Sequence, residues 1–427
     1  MKNISFCFEM HVPYRLKRYR FFDIGQDHYY YDDMATEEYI EWLVRTSYMP
    51  LCTTLKEIVQ FSKGRFHFGL AVSGITLTLF EQYAPELIDL LKELAASKSV
   101  EFVGVPFSYS LASEKDENEF ERQLKDHADL INELFGQKPS VLWNTELLYT
   151  DEMAPIAYKA GYKTIMTEGA KHILSWQSPN YVYQSAGHNK VKMLVRNREW
   201  SDELSFHFSD PNWSKFPLDA ERYAQELSEL AAEEEVINIW CGAETFGILQ
   251  NEGTGIFNFL RALPYYAMER EMCFVTPSEA VKGCSPSAVL SALHPLTWAG
   301  EAKDLSLYLG NDLQQEALNK LFAVAERVHL CRDKQLQTDW KILQDITYLH
   351  FMNHIDQGAT QYESAYDAFI NYMNILADFL QKVEEQYPTT IENEELNELL
   401  KTIDNQEKEI AELQAKLYAR AAKKADK

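Results

Sequence analysis

The sequence predicts an α/β fold, a TIM-like barrel followed by a helical part. Three observations predict it. Short apolar runs alternate with amphipathic helical stretches over about 280 residues, which argues for parallel strands joined by helices. Seven or eight such units fit a closed barrel better than an open sheet, although strand order is not legible in one sequence and the open sheet stays as the alternative. Strand signals then stop near residue 286, and long helical patterns take over.

In chain order, the strand candidates are residues 4–10, 66–72, 100–105, 141–145, 164–167, 192–195, 236–241 and 273–275. Between them, 84–96, 119–135 and 220–232 carry apolar residues at helical spacing. Residues 311–327, 339–354 and 362–386 read as helices of a bundle packed on the barrel. The expected division is therefore 1–285 barrel, 286–388 helical bundle and 389–427 a separate C-terminal helix. In the last segment Leu396, Leu399, Ile403, Gln406, Ile410, Leu413 and Leu417 follow a 3,4 spacing, the seam of a short coiled coil. It reads either as a helix lying on its own protein or as a homodimer contact through Leu396, Ile403, Ile410 and Leu417.

Composition narrows the function classes. The 427 residues carry a formal charge of -24, which argues against nucleic acid and anionic membrane as partners. A neutral ligand such as a sugar is not repelled, and the 24 Tyr and 8 Trp offer faces to stack on, although most rings belong to a core. The six cysteines form no CxxC pair, so neither a disulfide framework nor a zinc knuckle is expected. No apolar run is long enough to span a membrane and the N-terminus lacks a signal-peptide pattern, so a cytoplasmic protein is expected. His350 and His354 share a helix face, but without a Glu beside the first His or an evident third ligand they carry no metal site. No metal or cofactor is expected.

In a parallel barrel the chemistry sits where strands end. After the first strand come His11, Pro13, Tyr14, Arg15 and Leu16. After the fourth come Asn144, Thr145 and Glu146. After the seventh come Gly242, Ala243 and Glu244. With their neighbours these stretches resemble the signature regions of glycoside hydrolase family 57, in particular its α-amylase-like members. His11 and Pro13 resemble the first region. Trp143-Asn144-Thr145-Glu146-Leu147-Leu148-Tyr149 resembles the third, where the Glu is the catalytic nucleophile. Glu244-Thr245-Phe246-Gly247 resembles the fourth. Thr297-Trp298-Ala299 with Asp304, Tyr308 and Asn311 resembles the fifth, and residues 367–378 resemble a further stretch of those amylases. The resemblance implies a seven-unit barrel, a helical bundle lining part of the cleft, and retaining chemistry on α-glucans or maltooligosaccharides. It assigns Glu146 as nucleophile and His11, Trp143, Glu244, Trp298 and Asp304 to substrate binding.

The departures bear on activity. The family reads Asp-x-Glu-x-Phe-Gly in the fourth region, and that Asp is the general acid/base; this chain has Gly242 there. In the second region a carboxylate and a His of the family become Val105 and Tyr109. A retaining glycosidase works with two carboxyl groups about 5–5.5 Å apart. General acid–base help contributes roughly 10²–10⁴-fold, so its loss impairs hydrolysis. The substitutes weighed from sequence are Glu244, Asp202 and Asp210, or a group on the substrate or a partner. The competing reading is a non-catalytic relative that binds glucan or regulates.

Overall fold

The computed structural model describes residues 2–386 except Glu235, with scattered positions between 399 and 414. Ten strands are present among them: β1 Asn3–Met10, β2 Phe68–Val72, β3 Val100–Phe102, β4 Val141–Trp143, β5 Thr164–Glu168, β6 Tyr183–Ser185, β7 Lys192–Arg196, β8 Val236–Gly242, β9 Cys273–Phe274 and β10 Ala288–Leu290. Two parallel ladders, β3-β2-β1-β8 and β4-β5-β7, form the wall. A bridge from Gly104 to Leu142 joins β3 to β4. On the other side Asn238 Nδ2 donates to Val195 O at 2.8 Å and Asn197 N donates to Asn238 O at 2.9 Å, tying β7 to β8. The result is a ring of seven strands, an incomplete TIM-like (β/α)7 barrel whose β7–β8 seam is stitched by asparagine rather than by a ladder. β9 pairs with β1, while β6 and β10 extend the second ladder.

Strand alternation sorts the wall residues. Along β1, Ile4, Phe6, Phe8 and Met10 pack outward in one apolar core with residues of the surrounding helices. Cys7 belongs to a second core inside the barrel, with Ala71, Val103, Trp143, Met166, Leu194 and Trp240. Side chains two apart share a face. Ser5 and Glu9 therefore point inward with Cys7, and on β8 position 242 points inward with Trp240. The helices that cover the wall are made as their sequences indicate. Glu117–Phe135 starts at Asp116, whose side chain accepts from the backbone N–H of Asn118 and Glu119, and ends at Gly136 in the left-handed conformation. It buries Phe120, Leu124 and Ile131.

The helical part shares the inner core. Leu321, Trp340, Leu343, Ile375, Leu376 and Phe379 belong to the same apolar cluster as Trp143 and Trp240. Its longest helix is Ala365–Gln386. Two expectations are corrected here. The strand signals do not end at 286, because Ala288–Leu290 pairs in parallel with Tyr183–Ser185. Residues 311–327 and 339–354 are not single helices. The first splits into Asp312–Phe322 and Ala325–Leu330, and the second spans the end of Lys334–Leu343 and all of Ile346–His350, where Asp345 caps a new start by accepting from Thr347 N. The heptad segment falls mostly outside the described residues, Leu396 and Leu417 included. No helix among the described residues is long and apolar enough to cross a membrane.

Candidate active site

The C-terminal ends of five barrel strands bring charged or motif residues to one rim: Glu9 on β1, Glu146 just past β4, Glu168 on β5, Arg196 on β7 and Gly242 on β8. Glu146 is the most constrained of them. It and Leu147 both have φ of 54°, a left-handed conformation that non-glycine residues rarely adopt. Each such residue costs on the order of 1–3 kcal/mol and persists only when its surroundings fix it. Here Asn144 Oδ1 accepts from Thr145 N, Leu147 N donates to Asn144 O at 2.8 Å, and Trp298 N donates to Glu146 O at 3.0 Å. The strained turn aims the carboxylate. Its Oε1 accepts from the Tyr109 hydroxyl at 3.2 Å and its Oε2 from the Trp298 indole N–H at 2.7 Å.

Tyr109 is itself held from behind. Its backbone has φ of 49° and its ring stacks on His11 at 3.9 Å between centroids. His11 Nδ1 meets Ser73 Oγ at 2.9 Å, and Nε2 meets Asp345 Oδ1 at 3.2 Å. His11 thus links barrel and helical part and orients Tyr109. Trp143 is fully buried and packs edge-on against Trp298 at 5.1 Å, beneath the site rather than at its surface. Asp304 is exposed and turns its Oδ1 to Ser306 N.

A cavity of about 630 Å³ opens beside Trp298, lined among others by Glu9, Asp202, Gly242, Glu244 and Lys303. That is an ordinary size for a ligand pocket. Glu244 accepts from the Tyr48 hydroxyl. Burial pushes the Glu244 carboxyl above the usual carboxylate range, against the pull of the Tyr48 hydrogen bond. Asp202 lies at the rim with Oδ1 on Arg196 Nη2 at 2.7 Å and Oδ2 on Arg198 Nε at 3.2 Å. Asp210 caps a local turn, accepting from Asn212 N, and does not line this cavity.

Two groups here were not read from the sequence. Arg196 is buried; it also pairs with fully buried Glu168 at 3.1 Å and donates to Trp240 O at 2.8 Å. Glu9 is only 7% exposed. Burial drives its carboxyl well above the usual range, and the nearby charges of Glu244 and Glu146 push the same way. The signal for both was a charged residue inside an apolar strand, which is seldom buried without a purpose. A second, larger groove of about 880 Å³ shares Arg198, Asp202 and His207 with the cavity and carries Trp200, Trp213 and the 87%-exposed Trp176.

The chain is thus a seven-stranded parallel barrel with carboxylates on its C-terminal rim. Residues 5–293 match glycosyl hydrolase family 57, and the chain belongs to that family. A protein of Methanocaldococcus jannaschii, provisionally named an alpha-amylase, is 30% identical over 406 residues, which cover 90% of this chain and 85% of that one. Among solved structures, a branching enzyme of this family from Thermococcus kodakaraensis aligns with a TM-score of 0.65 at 15% identity, covering 90% of this chain and 94% of the other. The alpha-amylase AmyC from Thermotoga maritima aligns at 0.61 and 13% identity, covering 91% and 98%. At those identities the structures speak for the fold.

Proposed function

We propose that this chain acts on α-glucans by retaining chemistry, as a hydrolase or transglycosylase, with Glu146 as the nucleophile and a rate lowered by the glycine at 242. The observation that carries the reading is the turn at Glu146. A left-handed, doubly anchored carboxylate at the end of a barrel strand is costly to hold and has an evident use as an aimed nucleophile. Glu244 and Trp298 line the adjoining cavity and fit a role in gripping sugar hydroxyls and rings. The groove with Trp176 and Trp213 fits further glucose units of a longer chain.

The test is a product assay. Protein at high concentration is incubated with maltoheptaose beside the Glu146→Gln variant, and the sugars are separated. Shorter or longer oligosaccharides from the wild type alone are the expected result. If neither protein changes the substrate, the hydrolase reading fails. Gly242 favours the second reading, a glucan-binding relative without catalysis, which predicts tight maltoheptaose binding with no product.

A further inference from the structure

Building on the reading of Glu146 as nucleophile, we infer that Glu9 is the proton donor and acceptor of this site, replacing from the next strand the carboxylate that position 242 lacks. β1 and β8 run parallel in a register that pairs Glu9 with Gly242. Paired residues of neighbouring parallel strands point to the same face, about 4.8 Å apart. A side chain at 242 would therefore enter the barrel next to Glu9. The Glu side chain, one methylene longer than Asp, recovers part of that strand spacing.

Three further observations place Glu9 in the chemistry. It lines the same cavity as Gly242, Glu244 and Trp298. Its Oε1 is buried and has no hydrogen-bond partner among the described residues, so one oxygen is uncommitted. And the Tyr109 hydroxyl that donates to Glu146 Oε1 also neighbours Glu9. Tyr109 thus neighbours both carboxyls, and retaining chemistry would bring them to about 5–5.5 Å. The environment also favours the protonated form of Glu9, as a general acid requires.

Two other carboxylates lie nearby. Asp202 has each oxygen on an arginine. Glu244 is held through Oε1 by Tyr48, while its Oε2 sits 2.9 Å from where a β-carbon on residue 242 would lie, which makes it the competing candidate. Glu9 differs from both in having a buried oxygen without a hydrogen-bond partner among the described residues.

The steps balance. In the first, Glu146 forms a bond to the anomeric carbon as the bond from that carbon to the leaving sugar oxygen breaks, and the proton of Glu9 passes to that oxygen. In the second, Glu9, now a carboxylate, takes a proton from water as the water oxygen bonds to the anomeric carbon and the ester to Glu146 breaks. A sugar hydroxyl in place of water gives transfer instead of hydrolysis.

The test uses the full chain and two substrates. Maltoheptaose has a leaving group that needs protonation; α-maltosyl fluoride has one that does not. Glu9→Gln, nearly isosteric and neutral like the protonated acid, should lose roughly 10²–10⁴-fold on maltoheptaose while staying within about tenfold in loading Glu146 from the fluoride. The maltosyl adduct should accumulate on the intact protein by mass spectrometry, and azide should release it as α-maltosyl azide. Adding Gly242→Asp to Glu9→Gln should restore much of the lost activity, because only the proton relay is missing. The proposal is overturned if Glu9→Gln cleaves maltoheptaose like the wild type. It is equally overturned if both substrates suffer alike with no adduct, which marks a structural residue. If the wild type itself forms no adduct from the fluoride, the nucleophile reading fails first and the proposal falls with it.

Discussion

Removing the buried guanidinium at position 196 gives a prediction whose size follows from its contacts. Arg196 pairs with Glu168, whose side chain is fully buried, and with Asp202, and it donates to a backbone carbonyl. Arg196→Met keeps much of the volume and removes the charge. Asp202 retains Arg198, but Glu168 loses its close partner. Breaking a buried pair from one side costs about 3–5 kcal/mol. At about 2.1 cal/mol/K of unfolding entropy per residue, a chain of this size would melt roughly 3–6 °C lower. The defect should depend on pH with a definite sign. Burial already holds the Glu168 carboxyl above its ordinary value, opposed by Arg196 and Lys303. Without Arg196 it rises further. A carboxyl whose folded pKa exceeds its unfolded one binds the proton more tightly in the folded state. Its contribution is therefore fully present below the unfolded value and is lost as pH rises through the folded one. The stability gap between variant and wild type should thus widen in urea titrations as pH rises above the unfolded carboxylate value. Glu168→Gln added to Arg196→Met should recover more than half of the loss. A gap that is constant or shrinks with pH, or a double variant no better than the single, refutes the reasoning.

Other predictions follow the same logic. His127 is buried, donates from Nε2 to Val72 O at 2.8 Å, and is held down at about 4 by burial. Its stabilising effect is present above the unfolded value of 6.5 and is lost as pH falls toward 4, a loss on the order of 3 kcal/mol; His127→Gln should flatten that limb of a stability–pH curve, and an unchanged slope would count against it. Tyr48→Phe strips Glu244 of its donor and should destabilise by about 1–3 kcal/mol in urea unfolding, with Ser47→Ala, whose hydroxyl donates to the Ala243 carbonyl, as the milder control. If the outer groove holds glucose units, Trp176→Ala should weaken maltoheptaose binding by roughly twofold to tenfold and leave maltose unaffected in calorimetry, since one stacked ring contributes about 0.5–1.5 kcal/mol. Equal effects on both sugars would remove the groove from the binding site.

The barrel was legible because its strands are written in the plainest code. Each expected strand has a counterpart, and the first, read as 4–10, is Asn3–Met10. Runs such as Val236–Gly242 are apolar on both faces because both faces are buried, as in parallel sheets generally. Tyr183–Ser185 and Ala288–Leu290, which pair with each other at the edge of the second ladder, were not read from the sequence. The rim motifs marked Glu146 and Gly242, because the resemblance is carried by consecutive residues. Glu9 and Arg196 lay hidden for the opposite reason. Each looks like an interruption of an apolar strand, and only alternation within a closed barrel turns it toward the site. The roles of Tyr109 and His11 were likewise out of reach, since their stacking joins residues 98 positions apart in sequence.

The contacts around Glu146 also say how the chain can be divided. Its indole anchor, Trp298, and the carboxylate behind His11, Asp345, both come from beyond residue 285, and the inner core runs on from Trp143 to Trp340 and Leu376. The strand ends supply the carboxylates, and the later chain supplies the brackets that hold Glu146. A fragment cut near 285 would keep every barrel strand through β9 yet release the left-handed turn from its restraints and bare an oily face. Reassembly from two separately produced halves, rather than either half alone, is what such a seam allows.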